Sequence, residues 1–353
     1  MDLREFVRSI SVVAVTASVF AGVVGGADAA ERVRWKMHSA FGSKLSIVGE
    51  VAARYEGQMD RISGGDVKIK FFEPGALVPP LECFDSVAKG AIESCWTTAG
   101  YHTGKIPALA WFTAVPFGPE VGEYFAWLQY GGGDEIYNGI YAEHGMKALH
   151  CSVIAPESSG WFREKITSLN ELKGLKMRFF GLGARVMTKL GVSTQLLAAA
   201  DIYPALERGV VDATEFSMPS IDLDLGFYQI AKYNYFPGWH QQSSIGELLM
   251  NAEQWNALTD QQKAWIEVSC GDSIVWSQAR SEALQFKAMQ TLQSKGVELV
   301  RWPDEFLDAF KVAWDEVVAE ESAKDPLFKK TYESYAAFHE QYKIWLENGY
   351  LRK

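Results

Sequence analysis

Leu175-Lys176-Met177-Arg178-Phe179-Phe180-Gly181-Leu182-Gly183 is a short apolar run interrupted by one arginine and ended by glycines. The chain continues through Asp201-Ile202-Tyr203-Pro204-Ala205-Leu206-Glu207-Arg208-Gly209-Val210-Val211-Asp212-Ala213-Thr214-Glu215 and then Tyr235-Phe236-Pro237-Gly238-Trp239-His240-Gln241. A guanidinium inside a strand-like run is costly to bury unless an anion pairs with it. Arg178 is therefore a candidate receptor for a carboxylate. Gly181-Leu182-Gly183 follows a strand and opens a helix, but it lacks the third glycine of a dinucleotide fingerprint.

The same grammar extends in both directions. Arg32-Val33-Arg34-Trp35-Lys36-Met37 and Asp66-Val67-Lys68-Ile69-Lys70-Phe71-Phe72 alternate polar and apolar residues, as half-buried strands do. A helix is predicted over 43–63, ending at Gly64-Gly65, another over 81–89, and a short strand over 91–96. Beyond them, strands are predicted over 147–155, 175–180, 194–198 and 297–301. Helices are predicted over 168–173, 183–190, 201–207 (capped by Asp201), 255–260 and 261–295. This alternation predicts an α/β fold of two lobes with crossing connections, a ligand cleft between them and a hinge. The expected division is 30–152 for the first part of lobe I and 153–240 for lobe II. Return segments and connecting helices shared by both lobes follow over 241–326, and a C-terminal helix over 327–353.

The 353-residue chain is 48% hydrophobic and 22% charged, with a formal net charge of -10, so it reads as globular. No basic stripe is present, which argues against nucleic acid and anionic membrane surfaces. Arg4 and Arg8, the apolar run over 10–24 and Ala27-Asp28-Ala29 read as a signal peptide over 1–29, cleaved after Ala29. The mature protein is thus expected outside the cytoplasm. Cys83, Cys95, Cys151 and Cys270 lack metal-ligand spacing. Export permits disulfides, with Cys83 and Cys95 closest in sequence, but a chain this long needs no staple, and the expectation is four small buried thiols. At the C-terminus, Phe328, Tyr332, Tyr335, Phe338, Tyr342 and Trp345 form one helical stripe. It could pack on its own body; the reading preferred here is a dimerisation helix.

Catalytic signatures are missing: there is no GxSxG, HExxH, P-loop or CxxC. His240, beside Trp239, reads as structural. What remains is a set of polar residues in apolar or glycine-rich settings. They are Glu157 in Pro156-Glu157-Ser158-Ser159-Gly160-Trp161-Phe162, Glu215 after Asp212-Ala213-Thr214, and Gln241.

Together with Trp96-Thr97-Thr98-Ala99-Gly100-Tyr101, Thr113-Ala114-Val115-Pro116-Phe117-Gly118 and Gly226-Phe227-Tyr228, these segments resemble a solute-binding protein of a TRAP transporter (tripartite ATP-independent periplasmic), most of all the alpha-keto-acid-binding branch. The resemblance covers nearly the whole mature chain. It implies a periplasmic receptor, not an enzyme, that takes a small 2-oxo or 2-hydroxy monocarboxylate with a metal ion and delivers it to membrane permease subunits. It also implies roles. Arg178 would pair with the carboxylate, and Glu157, Glu215, the carbonyl of Phe216 and Gln241 would hold the cation. Tyr101 would donate to the ligand, and Trp96, Phe180 and Phe216 would wall the pocket. Family members carry glutamine where Glu157 stands, glutamate where Gln241 stands and tryptophan where Phe216 stands. The glutamate–glutamine exchange preserves the count of amide and carboxylate donors. Two glutamates and the ligand against one arginine favour a divalent ion in an oxygen-rich site, so calcium is expected, with sodium the alternative. Rival readings are a metal-free receptor of the same fold for a larger or aromatic acid, an exported hydrolase, and a sensor partner.

Overall fold

In the computed structural model, residues 31–351 are described; the expected signal peptide over 1–29 lies outside them. The first strand behaves as its alternation requires. In β1 (Val33–Ser39), Val33, Trp35 and Met37 are buried while Arg34 and Lys36 face solvent. Helix α1 (Val48–Ile62) follows, then β2 (Val67–Phe72), α2 (Cys83–Ala88) and β3 (Ser94–Thr97). Next come α3 (Val121–Tyr130), α4 (Gly133–Glu143) and β4 (Met146–Ile154). The chain then enters a second sheet through β5 (Gly160–Phe162), β6 (Lys176–Arg178), α5 (Gly181–Lys189), β7 (Ser193–Gln195), α6 (Ala199–Glu207), β8 (Ala213–Thr214), α7 (Pro219–Leu225) and β9 (Tyr233–Phe236). It returns as β10 (Ser244–Asn251) and α8 (Ala252–Asn256), runs along α9 (Asp260–Ser294) and ends with β11 (Glu298–Arg301), α10 (Asp304–Lys324) and α11 (Pro326–Asn348).

The first sheet has the order β2-β1-β3-β10-β4 and the second β11-β9-β5-β8-β6-β7. β1 runs parallel to β2 and β3, whereas β10 lies antiparallel between β3 and β4. The chain therefore passes between sheets three times: over 155–159, over 237–243 and along α9. The first two passages are the segments that carry Glu157 and Gln241. Helix α9 has 35 residues, a rod of roughly 50 Å at 1.5 Å per residue. Its buried Ser269, Ser273, Ser277 and Ser281 recur every four residues on the face toward β4, where Ser277 Oγ accepts from Val153 N at 2.9 Å. Small side chains there let helix and sheet approach closely.

Several expectations need correction. β10 was not read from the sequence, because all eight residues are buried and no alternation shows. Helix α6 starts two residues before Asp201: Ala198 is the N-cap, and Asp201 sits in the first turn, where its charge suits the helix dipole. The cysteines are not free thiols. Cys83–Cys95 joins α2 to β3 and Cys151–Cys270 joins β4 to α9. The fold brings each pair together, which spacing alone does not reveal. The aromatic stripe of α11 is divided. Phe328, Tyr332 and Tyr335 pack around Trp111, with ring centroids 5.4–5.7 Å away, whereas Trp345 and Ile344 remain 57% and 72% exposed. Among the described residues, no helix is long and apolar enough to cross a membrane.

Candidate functional site

Arg178 ends β6, with its side chain buried. Its Nη1 donates to the Glu215 carbonyl at 2.6 Å and to Glu215 Oε2 at 3.0 Å, and Nε donates to Leu197 O at 3.3 Å. β6 and β8 are paired in parallel with Arg178 opposite Thr214, so Glu215 follows directly beside the guanidinium. The anion that the sequence demanded for Arg178 is thus supplied first by the chain itself. Nη2 makes no hydrogen bond among the described residues. The guanidinium carbon also lies 5.0 Å from the centre of the Phe216 ring and 5.9 Å from that of Phe180.

The second carboxylate comes from the first passage between sheets. Glu157 Oε1 accepts from His240 Nε2 at 2.8 Å, and Glu157 Oε2 accepts from Gln241 Nε2 at 2.7 Å. Both partners belong to the second passage. The two passages are held together by Gly238 N donating to Glu157 O at 2.9 Å. A Cβ at Gly238 would lie 2.4 Å from that oxygen, so only glycine permits this approach. His240 Nε2 also lies 3.5 Å from Glu215 Oε1, an oxygen that is buried and has no hydrogen-bond partner. Donor atoms of Glu157, Glu215 and His240 all fall within 4.8 Å of one another. Two carboxylates this close, one with an unsatisfied buried oxygen, fit a cation.

Electrostatics follow the burial. Desolvation pushes the Glu157 carboxyl well above its usual range. It pushes Glu215 the same way, but Arg178 and His240 outweigh it and hold that carboxyl below its usual range. Burial alone would neutralise His240; its hydrogen bond to Glu157 and the nearby Glu215 carboxylate instead raise it to about 9. Asp222, buried behind the site, is pushed up by desolvation to about 7. It accepts from Trp161 Nε1 at 2.7 Å, Ser158 Oγ at 3.4 Å and Ser217 N at 3.2 Å, and so ties the Glu157 passage to the turn after Glu215.

Arg178, Gln241, Trp96, Tyr101, Phe180 and Phe216 line one cavity of about 490 Å³, its mouth included. Tyr101 stands edge-on to Phe180 at 5.7 Å, and burial raises its hydroxyl to about 12, so it stays a hydrogen-bond donor. Glu157 and Glu215 do not line this wall. They lie behind it, in contact with Gln241 and Arg178. Sequence reasoning missed His240 as part of the cluster; its position directly before Gln241 was the available signal. It also missed Ser152 and Ser217 on the cavity wall.

Two α/β sheets, chain passages between them and a buried arginine facing the cavity define a solute-binding protein. The model of the bacterial extracellular solute-binding proteins, family 7 (DctP), matches residues 38–325, and the chain belongs to that family. It is 34% identical over 332 residues, 94% of this chain and 88% of the relative, to the monocarboxylate 2-oxoacid-binding periplasmic protein of Nostoc sp.. Its structure is similar to a TRAP transporter solute-binding protein of Bordetella bronchiseptica that copurified with calcium and picolinate (TM-score 0.87, 32% identity, 90% of this chain and 94% of that one). It is also similar to one of Pseudoalteromonas atlantica with bound sodium and pyruvate (TM-score 0.84, 29% identity, 89% and 96%).

Proposed function

We propose that the chain is the periplasmic receptor of a TRAP transporter, binding a small 2-oxo or 2-hydroxy monocarboxylate of the pyruvate or lactate type together with calcium or, alternatively, sodium. The observation that carries this reading is the open Nη2 of Arg178 in a cavity backed by Glu157 and Glu215. Nη2 is left to grip a carboxylate, while the guanidinium is kept in place by Glu215. Glu157, Glu215, the carbonyl of Phe216 and Gln241 would hold the cation. A cation there would join the ligand's carboxylate and 2-oxo oxygens to the protein's own oxygens. Relatives with pyruvate and sodium, or with calcium, support the pairing.

The same reading assigns the two sheets to two lobes that close on the ligand about the passages, presenting the closed form to the permease. It assigns residues 1–29 to a cleaved export signal and the free end of α11 to a homodimer contact. No turnover is assigned to the site. The test is thermal melting of unfolded and refolded protein with a panel of acids, with and without calcium. Ligand binding only to the folded state raises the melting temperature. Pyruvate or lactate with calcium should raise it. If larger or aromatic acids alone raise it, and do so in chelator, the metal-free receptor takes the place of this one.

A further inference from the structure

Two serine hydroxyls on the wall of the Arg178 cavity have no partner among the described residues. Ser217 Oγ, two residues beyond Glu215, is buried without a hydrogen-bond partner, and Ser152 Oγ, on β4, makes no hydrogen bond among the described residues. The Thr98 and Ser244 hydroxyls on the same wall are occupied, and that of Tyr101 is the donor already assigned to the ligand. Thr98 Oγ1 lies 2.8 Å from Thr113 Oγ1, which lies 3.2 Å from Ser244 Oγ. Both open hydroxyls are also held in place. Ser217 N donates to Asp222 Oδ1 at 3.2 Å, and Ser217 O accepts from Ser158 Oγ at 3.2 Å. Its main chain is fixed on both sides with no help from its own hydroxyl. Ser152 pairs with Gly246 across β4 and β10, and a Cβ at Gly246 would lie 2.2 Å from Ser152 Oγ. A glycine there gives the hydroxyl its place.

A buried hydroxyl without a partner is destabilising, so Ser217 Oγ, like the unbonded Ser152 Oγ on the same lining, is open to a partner supplied from the cavity. Arg178 belongs to the second sheet and Ser152 to the first, so the cavity has a cation on one wall and an open hydroxyl on the facing one. Arg178 is also the only charged side chain on the lining among the described residues, which disfavours a second carboxylate on the ligand. We propose that Ser152 and Ser217 form a second polar subsite for the ligand's tail, so that the preferred ligand is a 2-oxo monocarboxylate carrying a hydroxyl beyond C2. This rests on the receptor reading above. A serine hydroxyl both donates and accepts, which matches a ligand hydroxyl. Trp96, Phe180 and Phe216 accept the carbon chain between the two polar ends. An alkyl tail of the same size would leave both hydroxyls unpaired, and sites built to bond a hydroxyl discriminate strongly against analogues lacking it.

The experiment is calorimetric titration of refolded, calcium-loaded protein with 3-hydroxypyruvate and with 2-oxobutyrate, which replaces the hydroxyl by a methyl. The wild type should prefer 3-hydroxypyruvate by about tenfold or more. Ser152→Ala and Ser217→Ala should each lower that ratio, and the double variant should bring it near one while keeping or improving affinity for 2-oxobutyrate. Retained 2-oxobutyrate binding shows that the variants are folded. Equal affinity of the wild type for the two acids overturns the subsite, as it would if ordered water satisfied the hydroxyls. A ratio unmoved in the double variant overturns it as well. If neither acid binds, nor pyruvate, the receptor reading falls and takes the subsite with it.

Discussion

Because Arg178 Nη1 already holds the carbonyl and carboxylate of Glu215, removing the guanidinium has two effects. Ligand carboxylates lose the anchor proposed for them, and Glu215 is left buried without its cation. From sequence alone the loss in Arg178→Ala is local, with the fold intact. The structure predicts a stability loss of about 3 kcal/mol besides the loss of acid binding, since breaking a buried pair strands a charge. Urea unfolding read alongside titration checks both. A second residue-scale prediction concerns His102. It is wholly buried beside Glu247, with neither ring nitrogen hydrogen-bonded, and burial lowers it to about 3. Its folded value lies below its unfolded value near 6.5, so the unfolded chain takes up the proton first as pH falls. Stability from the neutral ring is complete above pH 6.5 and lost as pH drops toward 3, by about 1.4 kcal/mol per unit within that window. His102→Gln should remove this slope; melts of variant and wild type between pH 6.5 and 4 that run parallel would contradict it. At this scale Arg178 was legible, because an arginine in an apolar run needs an explanation. Glu215 and Gln241 were legible through the resemblance. His240 was not, since its partner Glu157 is 83 residues away and only the two passages bring them together.

The elements most plainly written in the sequence are those with one solvated face. β1 and β2 alternate, α9 carries a long helical pattern begun by Thr259, whose hydroxyl accepts from Gln262 N at 3.2 Å, and α11 shows its stripe. β10 is buried on both faces and contains a glutamate, so its pattern argues against a strand. Its Glu247 is tolerated because Tyr137 and Tyr141 donate to it at 2.6 and 2.9 Å. The α11 stripe was legible as apolar but not as two surfaces. Its first half needs Trp111 and cannot be removed without exposing that ring, so truncation before Phe328 tests stability as much as assembly. A cleaner variant changes the exposed end. Ile344→Ser with Trp345→Ser should convert the proposed dimer to a monomer with stability altered by no more than about 0.5 kcal/mol, as for other surface changes. Light scattering behind size exclusion reads the mass, and a dimer surviving both changes would place the contact elsewhere.

For the molecule as a whole, the chain order sets the site. It leaves the first sheet after β4, returns as β10 and leaves again along α9, and the first two passages bring Glu157, His240 and Gln241 together beside Arg178 of the second sheet. An acidic protein of net charge -10 can take an anion here because the cation is local and buried, and a metal ion adds to it. The sequence supported two α/β lobes and a carboxylate anchor; it could not show which segments cross, because crossing is a property of strand order. The central claim is that acid and cation bind together. Titrating pyruvate into unfolded and refolded protein in sodium-free buffer, first with calcium and then with a chelator, tests it most directly. One acid should bind per chain with calcium, with affinity at least about tenfold weaker in chelator. Equal binding in both would leave Arg178 as the anchor and contradict the cation site proposed for Glu157, Glu215, Phe216 and Gln241.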